Sequence, residues 1–446
     1  MLAAGGSRPD RPAGLRRRWA LGPLVALVVV TGVCSATLPA PVRNVATPWT
    51  HAAPPGAGRA NPFAIDRLAA ARTELDRRAA ALLRRDRVGW LAGVDPNARV
   101  FRGRQAAVFA NIAAVPLAVW GYRIDPGDQA GRTDATGAWT VRASLAYSLR
   151  GVDPAPTSRP VVLTFVQRGT RWLLAADDRT AADGTRTWRG PWEYGPLAVR
   201  SGRTSIVLAH PANADRMAVF SDAVDAAVPR VSAVVGPRWP KRVAVIIPSD
   251  RREMVSLVGE RLALGKIAAV AVADAVDPGS GQARGQRVVI NPANLDKLGP
   301  LARRVVLQHE VTHVATRGWT GPGTPIWLVE GFADYVGYLG TGLSPRMVGD
   351  ELQRQVHAGT WPGRLPRSDD FAGDSPRLSV AYEEAWSACR LIAERRGTPA
   401  LLRFYREVGT ADDPEAAVDP ALRRVLGLSA AQFLAEWQSS VRSEFR

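Results

Sequence analysis

The sequence predicts an α+β protein in two bodies, and three observations predict it. Helical spacing at Ile65, Leu68, Leu75, Ala79 and Leu82 gives way to a period of two at Trp139, Val141, Ala143, Leu145, Tyr147 and Leu149. A second group of short apolar strands follows, and beyond Pro300 the apolar pattern is almost wholly helical. Strands first and helices afterwards argue for a small sheet packed on a helical half. The length of 446 residues leaves room for two or three domains. With 46% apolar and 22% charged residues the chain can bury an ordinary core, which excludes a wholly disordered or coiled-coil protein.

Residues 1–40 read as a signal peptide or signal-anchor helix. Arg16, Arg17 and Arg18 precede an apolar run from Trp19 to Val33, and small residues and prolines follow. Extended to Leu38, the run reaches about 20 residues, enough to span a bilayer, so a cleaved peptide and an uncleaved anchor both fit. A lipoprotein reading would use Cys34, although Val33 is larger than the small residue such a cleavage site wants. The chain is therefore expected outside the cytoplasm, either membrane-anchored or secreted, with residues 41–60 (Pro41, Pro48, Pro54, Pro55) as a tether. Cys34 and Cys389 are the two cysteines and offer no disulfide framework.

Residues 61–86 read as a helix with Asn61 as N-cap and Pro62 at its first position, and a second helix falls near 106–114. Strands are expected at 139–149, 160–166 and 171–176. A loop with Trp188 and Trp192 leads to a strand at 197–209, a helix at 213–235 interrupted at Pro229, and strands at 243–247, 267–272 and 287–290.

The net charge of +17 comes from 58 Lys and Arg against 41 Asp and Glu, and only Lys241, Lys266 and Lys297 are lysines. Arginine spread evenly through a chain rich in Ala, Gly and Pro lacks the clustered face that nucleic acid requires. A basic module that binds anionic envelope polymers has the charge as its sole support.

Chemistry concentrates after Pro300. A helix over Pro300–Thr316 carries His309-Glu310-Val311-Thr312-His313, two of the five histidines in the chain. Histidines at i and i+4 share a helix face about 6 Å apart, where both rings can hold one zinc ion. Glu310 on the adjacent flank can reach a water at that metal as general base. The next helix begins with Thr324 as N-cap and Pro325 behind it, and reads Ile326 to Tyr335. Glu330 in this apolar stretch is costly to bury without a cation, which suits a third zinc ligand. Asp334, one turn on, can accept a hydrogen bond from the non-ligating nitrogen of His309 or His313.

HEVTH followed by WLVEGFADY resembles the gluzincin clan of zinc metallopeptidases and, within it, the bacterial peptidase MA-like group. The phrases RVAVIIPSD, RVVINPANL and LGLSAAQFLAEWQ extend the resemblance over most of residues 190–446, the expected peptidase domain. The resemblance implies zinc on His309, His313 and Glu330, Glu310 as general base, and Asp334 behind a ligand. It also implies that Tyr382, in Ala381-Tyr382-Glu383-Glu384, donates to the oxyanion, with His357 a weaker competitor. Residues 61–178 resemble the cone-shaped nuclear transport factor 2-like fold and are expected to form a non-catalytic accessory domain.

Two departures stand out. Sixteen residues separate His313 from Glu330, fewer than in the best-known clan members. The Gly-x-Met-Glu-Asn strand that grips a substrate amine in membrane aminopeptidases is missing, and residues 268–274 are expected as the edge strand in its place, able to pair with an extended peptide. An endopeptidase acting on peptides or proteins is therefore favoured. A catalytically inactive zinc protein of the envelope is the alternative. Oligomeric state is not legible in the sequence.

Overall fold

The computed structural model describes residues 62–125, 131–259, 264–277 and 280–446. The signal segment, the tether, Cys34 and the expected cap Asn61 lie outside the described residues. Among the described residues, no helix is long and apolar enough to cross a membrane.

The first body opens with α1 (Pro62–Leu83), α2 (Arg87–Ala92) and α3 (Arg99–Asn111). The expected helix 61–86 ends early because Arg85 turns left-handed, at φ 61°, and Asp86 caps α2 by accepting from the Gly89 amide. The expected helix at 106–114 starts seven residues earlier, at Arg99. Strands β1 (Leu117–Ile124), β2 (Arg132–Thr133), β3 (Trp139–Leu149), β4 (Thr157–Arg168) and β5 (Arg171–Ala176) form an antiparallel sheet in the order β1-β3-β4-β5, with β2 on β3. Along β3, burial alternates from Trp139 to Leu145 and then becomes continuous to Leu149. The change comes from Ala146 and Ser148, which bury the face opposite Trp139 and Val141 as well, while Tyr147, on the first face, stacks on Trp188 of the following loop with ring centroids 5.7 Å apart.

The second body has β6 (Ala198–Ser201), β7 (Ser205–Ala209), α4 (Arg216–Val235), β8 (Val243–Ile247), α5 (Arg251–Val258), β9 (Ala269–Val272), β10 (Ala275–Val276), β11 (Ala283–Arg284) and β12 (Arg287–Ile290). Its main sheet runs β6-β7-β8-β12-β9, parallel at its centre and closed at each side by an antiparallel strand. The single strand expected at 197–209 is a hairpin instead. Asp225 accepts from the amides of Arg203 and Thr204, at 2.6 and 2.9 Å, and so fixes the turn. The expected break at Pro229 is also absent: α4 runs through it, because Val224, Ala227, Val228 and Val231 are buried and outweigh a proline's cost of about 3 kcal/mol.

Helices complete the chain: α6 (Pro292–Leu295), α7 (Pro300–Thr316), α8 (Ile326–Tyr338), α9 (Pro345–Val348), α10 (Asp350–His357), α11 (Leu378–Arg396), α12 (Thr398–Gly409), α13 (Pro414–Leu426) and α14 (Ala430–Glu444). The protein is thus α+β, with a helical C-terminal half. Thr324 does not cap α8. Its hydroxyl donates to the Gly321 carbonyl at 2.8 Å, and Pro325 holds the cap position. Helix α8 lies between α7 and α11, and two glycines let it approach both. A Cβ on Gly331 would stand 2.3 Å from the Ala385 carbonyl oxygen, and one on Gly337 would stand 3.2 Å from that of Val305.

Candidate metal centre

Helix α7 delivers His309 and His313 from consecutive turns, and α8 delivers Glu330 against them. All three are buried. The two Nε2 atoms are 2.9 Å apart, and Oε2 of Glu330 lies 3.4 Å from Nε2 of His309 and 3.5 Å from that of His313. Among the described residues, this trio is the group of His, Cys, Asp and Glu donors arranged to hold a metal ion. Ligands around a tetrahedral zinc stand roughly 3.3 Å apart, and two imidazoles with one carboxylate form an open zinc site, so the residues fit the ion.

Asp334, one turn beyond Glu330, stands behind the first ring. Its Oδ1 is 2.7 Å from Nδ1 of His309. A carboxylate there makes Nδ1 the protonated nitrogen and leaves the Nε2 lone pair directed at the other two donors. The structure therefore selects His309, of the two histidines, as the partner of Asp334.

Electrostatics follow the same layout. Burial lowers the pKa of His309, but Asp334 and Glu330 more than offset this and hold it well above the ordinary value. Burial takes His313 down to about 4. Glu330 would be raised by burial, yet the two imidazoles bring it to about 2. His313 is thus held neutral and Glu330 ionised, the forms in which an imidazole and a carboxylate can ligate a metal.

Glu310 lies on the neighbouring flank of α7, fully buried. Its Oε2 accepts from the Ala271 amide at 2.7 Å, while Oε1 has no hydrogen-bond partner. Burial raises its carboxyl to about 7 against the opposing pull of His309. A buried carboxylate oxygen left open beside a metal-ligand trio can take a proton from water.

Ala271 belongs to β9, the edge strand anticipated within 268–274. Its carbonyl accepts from Arg317 at 2.8 Å, so both backbone groups of Ala271 face α7 rather than β12. At this register, pairing with an extended peptide requires Glu310 and Arg317 to yield their places. Sequence reasoning missed Arg317, although it continues the His309–His313 spacing by four more residues.

Tyr382 lies in the second turn of α11, on the same i, i+3, i+7 stripe as Ala385 and Cys389, which approach Gly331. Its ring packs edge-on against Phe371, with centroids 5.1 Å apart. His357, the weaker competitor, is exposed at the end of α10.

No protein-family model matches the chain. Comparison with curated protein sequences finds no match either. Among solved structures, the chain is similar to an M1 zinc metallopeptidase from Deinococcus radiodurans, at 15% identity over 68% of this chain and 61% of that one, with a TM-score of 0.34. A variant of that peptidase bound to a Tyr-Ser-Ala substrate matches at 15% identity over 72% of this chain and 69% of that one, with a TM-score of 0.33. Yeast LTA4 hydrolase in complex with bestatin matches at 10% identity over 73% of this chain and 52% of that one, with a TM-score of 0.34. The chain spans about three fifths of the length of the Deinococcus structure matched without substrate. Likeness at this level leaves the functional reading to the site itself.

Proposed function

We propose that the chain is a zinc-dependent metallopeptidase that hydrolyses peptide bonds. One observation carries this reading: His309, His313 and Glu330 converge on one point with Asp334 behind a ligand, and Glu310 offers an open carboxylate oxygen beside them. Zinc, when bound by the trio, supplies a Lewis acid for water and for the scissile carbonyl. Glu310 takes the proton of the attacking water and passes it to the departing amine, so the carboxylate is regenerated each turnover. Asp334 holds the His309 ring in its ligating tautomer. Tyr382 is assigned the oxyanion hydrogen bond.

Endopeptidase action is the favoured specificity. Support comes from the missing Gly-x-Met-Glu-Asn phrase; β9 is a sheet edge beside the centre, and an extended chain would lie on it by taking over the Ala271 backbone groups that Glu310 and Arg317 hold. Residues 61–178 serve as an accessory domain and 190–446 as the peptidase domain. The apolar N-terminal segment exports the protein, which then acts outside the cytoplasm, membrane-anchored or secreted. The test is zinc content together with turnover of a library of internally quenched peptides. About one zinc per chain with cleavage at internal bonds supports the reading, whereas a protein that binds no zinc and cleaves nothing overturns it.

A further inference from the structure

The two bodies meet through buried charge rather than through apolar surface alone. Arg287, at the start of β12, is bidentate to Asp153 in the β3–β4 connection, at 2.6 and 2.8 Å, and both side chains are at most 5% exposed. Asp274, two residues beyond β9, accepts from the Thr157 hydroxyl at 2.7 Å and pairs with Arg159 at 2.5 Å, both from the start of β4. The pocket around Asp274 is closed: a Cβ on Gly285 would stand 2.1 Å from its Oδ2 and 2.8 Å from the Thr157 oxygen.

Both anchors flank the end of the edge strand. Arg287 is the register partner of Val272. Ala271, the next residue, donates its amide to Glu310. Two residues, Val272 and Ala273, thus separate the Asp274 anchor from the backbone group that orients the proposed base.

We propose that the first body is part of the catalytic unit. Asp153, Thr157 and Arg159 act as positioning residues that hold Arg287 and Asp274, and through them set β9 against Glu310. A bidentate buried Arg–Asp pair fixes orientation as well as distance, which a sliding apolar contact does not. The functional half of this proposal rests on the peptidase reading; the structural half does not. It differs from a passive accessory role, in which the first body could loosen without effect on the site.

The experiment uses the full chain loaded with zinc and compares Arg287→Met, Thr157→Val and Thr157→Ser with the parent. Thr157→Val removes one hydroxyl at constant shape and keeps the test open should Arg287→Met fail to fold. Amide exchange over residues 268–274 is expected to accelerate about tenfold or more in Arg287→Met and Thr157→Val. Their kcat per bound zinc is expected to fall about tenfold at unchanged zinc content, and Thr157→Ser should retain parental values in both. A merely structural role would lower the folded fraction and leave kcat per bound zinc intact. Parental exchange over 268–274, or parental kcat per bound zinc despite faster exchange, overturns the proposal. A parent that hydrolyses nothing overturns the peptidase reading instead, and the exchange comparison then judges the positioning by itself.

Discussion

Nδ1 of His309 lies 2.7 Å from Oδ1 of Asp334, on the far side of the ring from Glu330. The pair ties a ligand on α7 to a carboxylate on α8, so the two helices that supply the metal donors also fix each other's rotamers. A proton held at Nδ1 is what frees Nε2 to ligate.

Asp334→Asn keeps the shape and removes the charge that orients this ring. Zinc affinity, measured by competition with a chelator, should fall roughly 10- to 100-fold with little change in fold. Parental affinity would make Asp334 irrelevant to the centre.

Tyr382 is assigned a contact that forms only as the tetrahedral intermediate does. Tyr382→Phe should therefore lower kcat by about 100- to 1000-fold and leave KM near its parental value. The ring and its edge-on packing with Phe371 are kept, and the melting temperature of the same preparation separates a catalytic loss from a disturbed helix start. An unchanged kcat would return Tyr382 to a packing role.

A second buried charge pair governs stability away from the centre. His210 Nε2 lies 2.8 Å from Oε2 of Glu253, and its Nδ1 lies 3.1 Å from the Pro196 carbonyl oxygen. A carboxylate beside one ring nitrogen and a carbonyl beside the other favour the doubly protonated imidazole. Burial lowers the pKa of His210, but the hydrogen bond and charge of Glu253, the Pro196 carbonyl and the nearby Asp250 raise it above the ordinary value. A histidine raised in the folded state contributes stability that is complete below its unfolded pKa of about 6.5 and is lost as pH rises through the folded one. Denaturant unfolding of the zinc-loaded protein should show that loss above about pH 6.5. Glu253→Gln should flatten it. An equal decline in the variant would place its origin elsewhere.

Local signals were legible where they are self-contained. Helix α7 runs from Pro300 to Thr316 as the apolar spacing and the leading proline require, and β5 occupies Arg171–Ala176 as read. Strand β1, Leu117–Ile124, was missed because a bulge between Leu117 and Val119 breaks the alternation. The hairpin of β6 and β7 depends on Asp225, which lies more than twenty residues from the turn amides it holds. At the centre, the donors were legible because their spacing on single helices is chemical information. The contact of Glu310 and Arg317 with Ala271 was not, since it joins a helix to a strand edge across 39 and 46 residues.

The most direct measurement of the central claim is the Glu310→Gln variant, assayed for zinc content and peptide hydrolysis on one preparation. Glu310 is placed on the proton and not on the metal, so zinc content and fold should match the parent while hydrolysis falls by several orders of magnitude. Hydrolysis at the parental rate in a zinc-loaded Glu310→Gln protein would contradict the account.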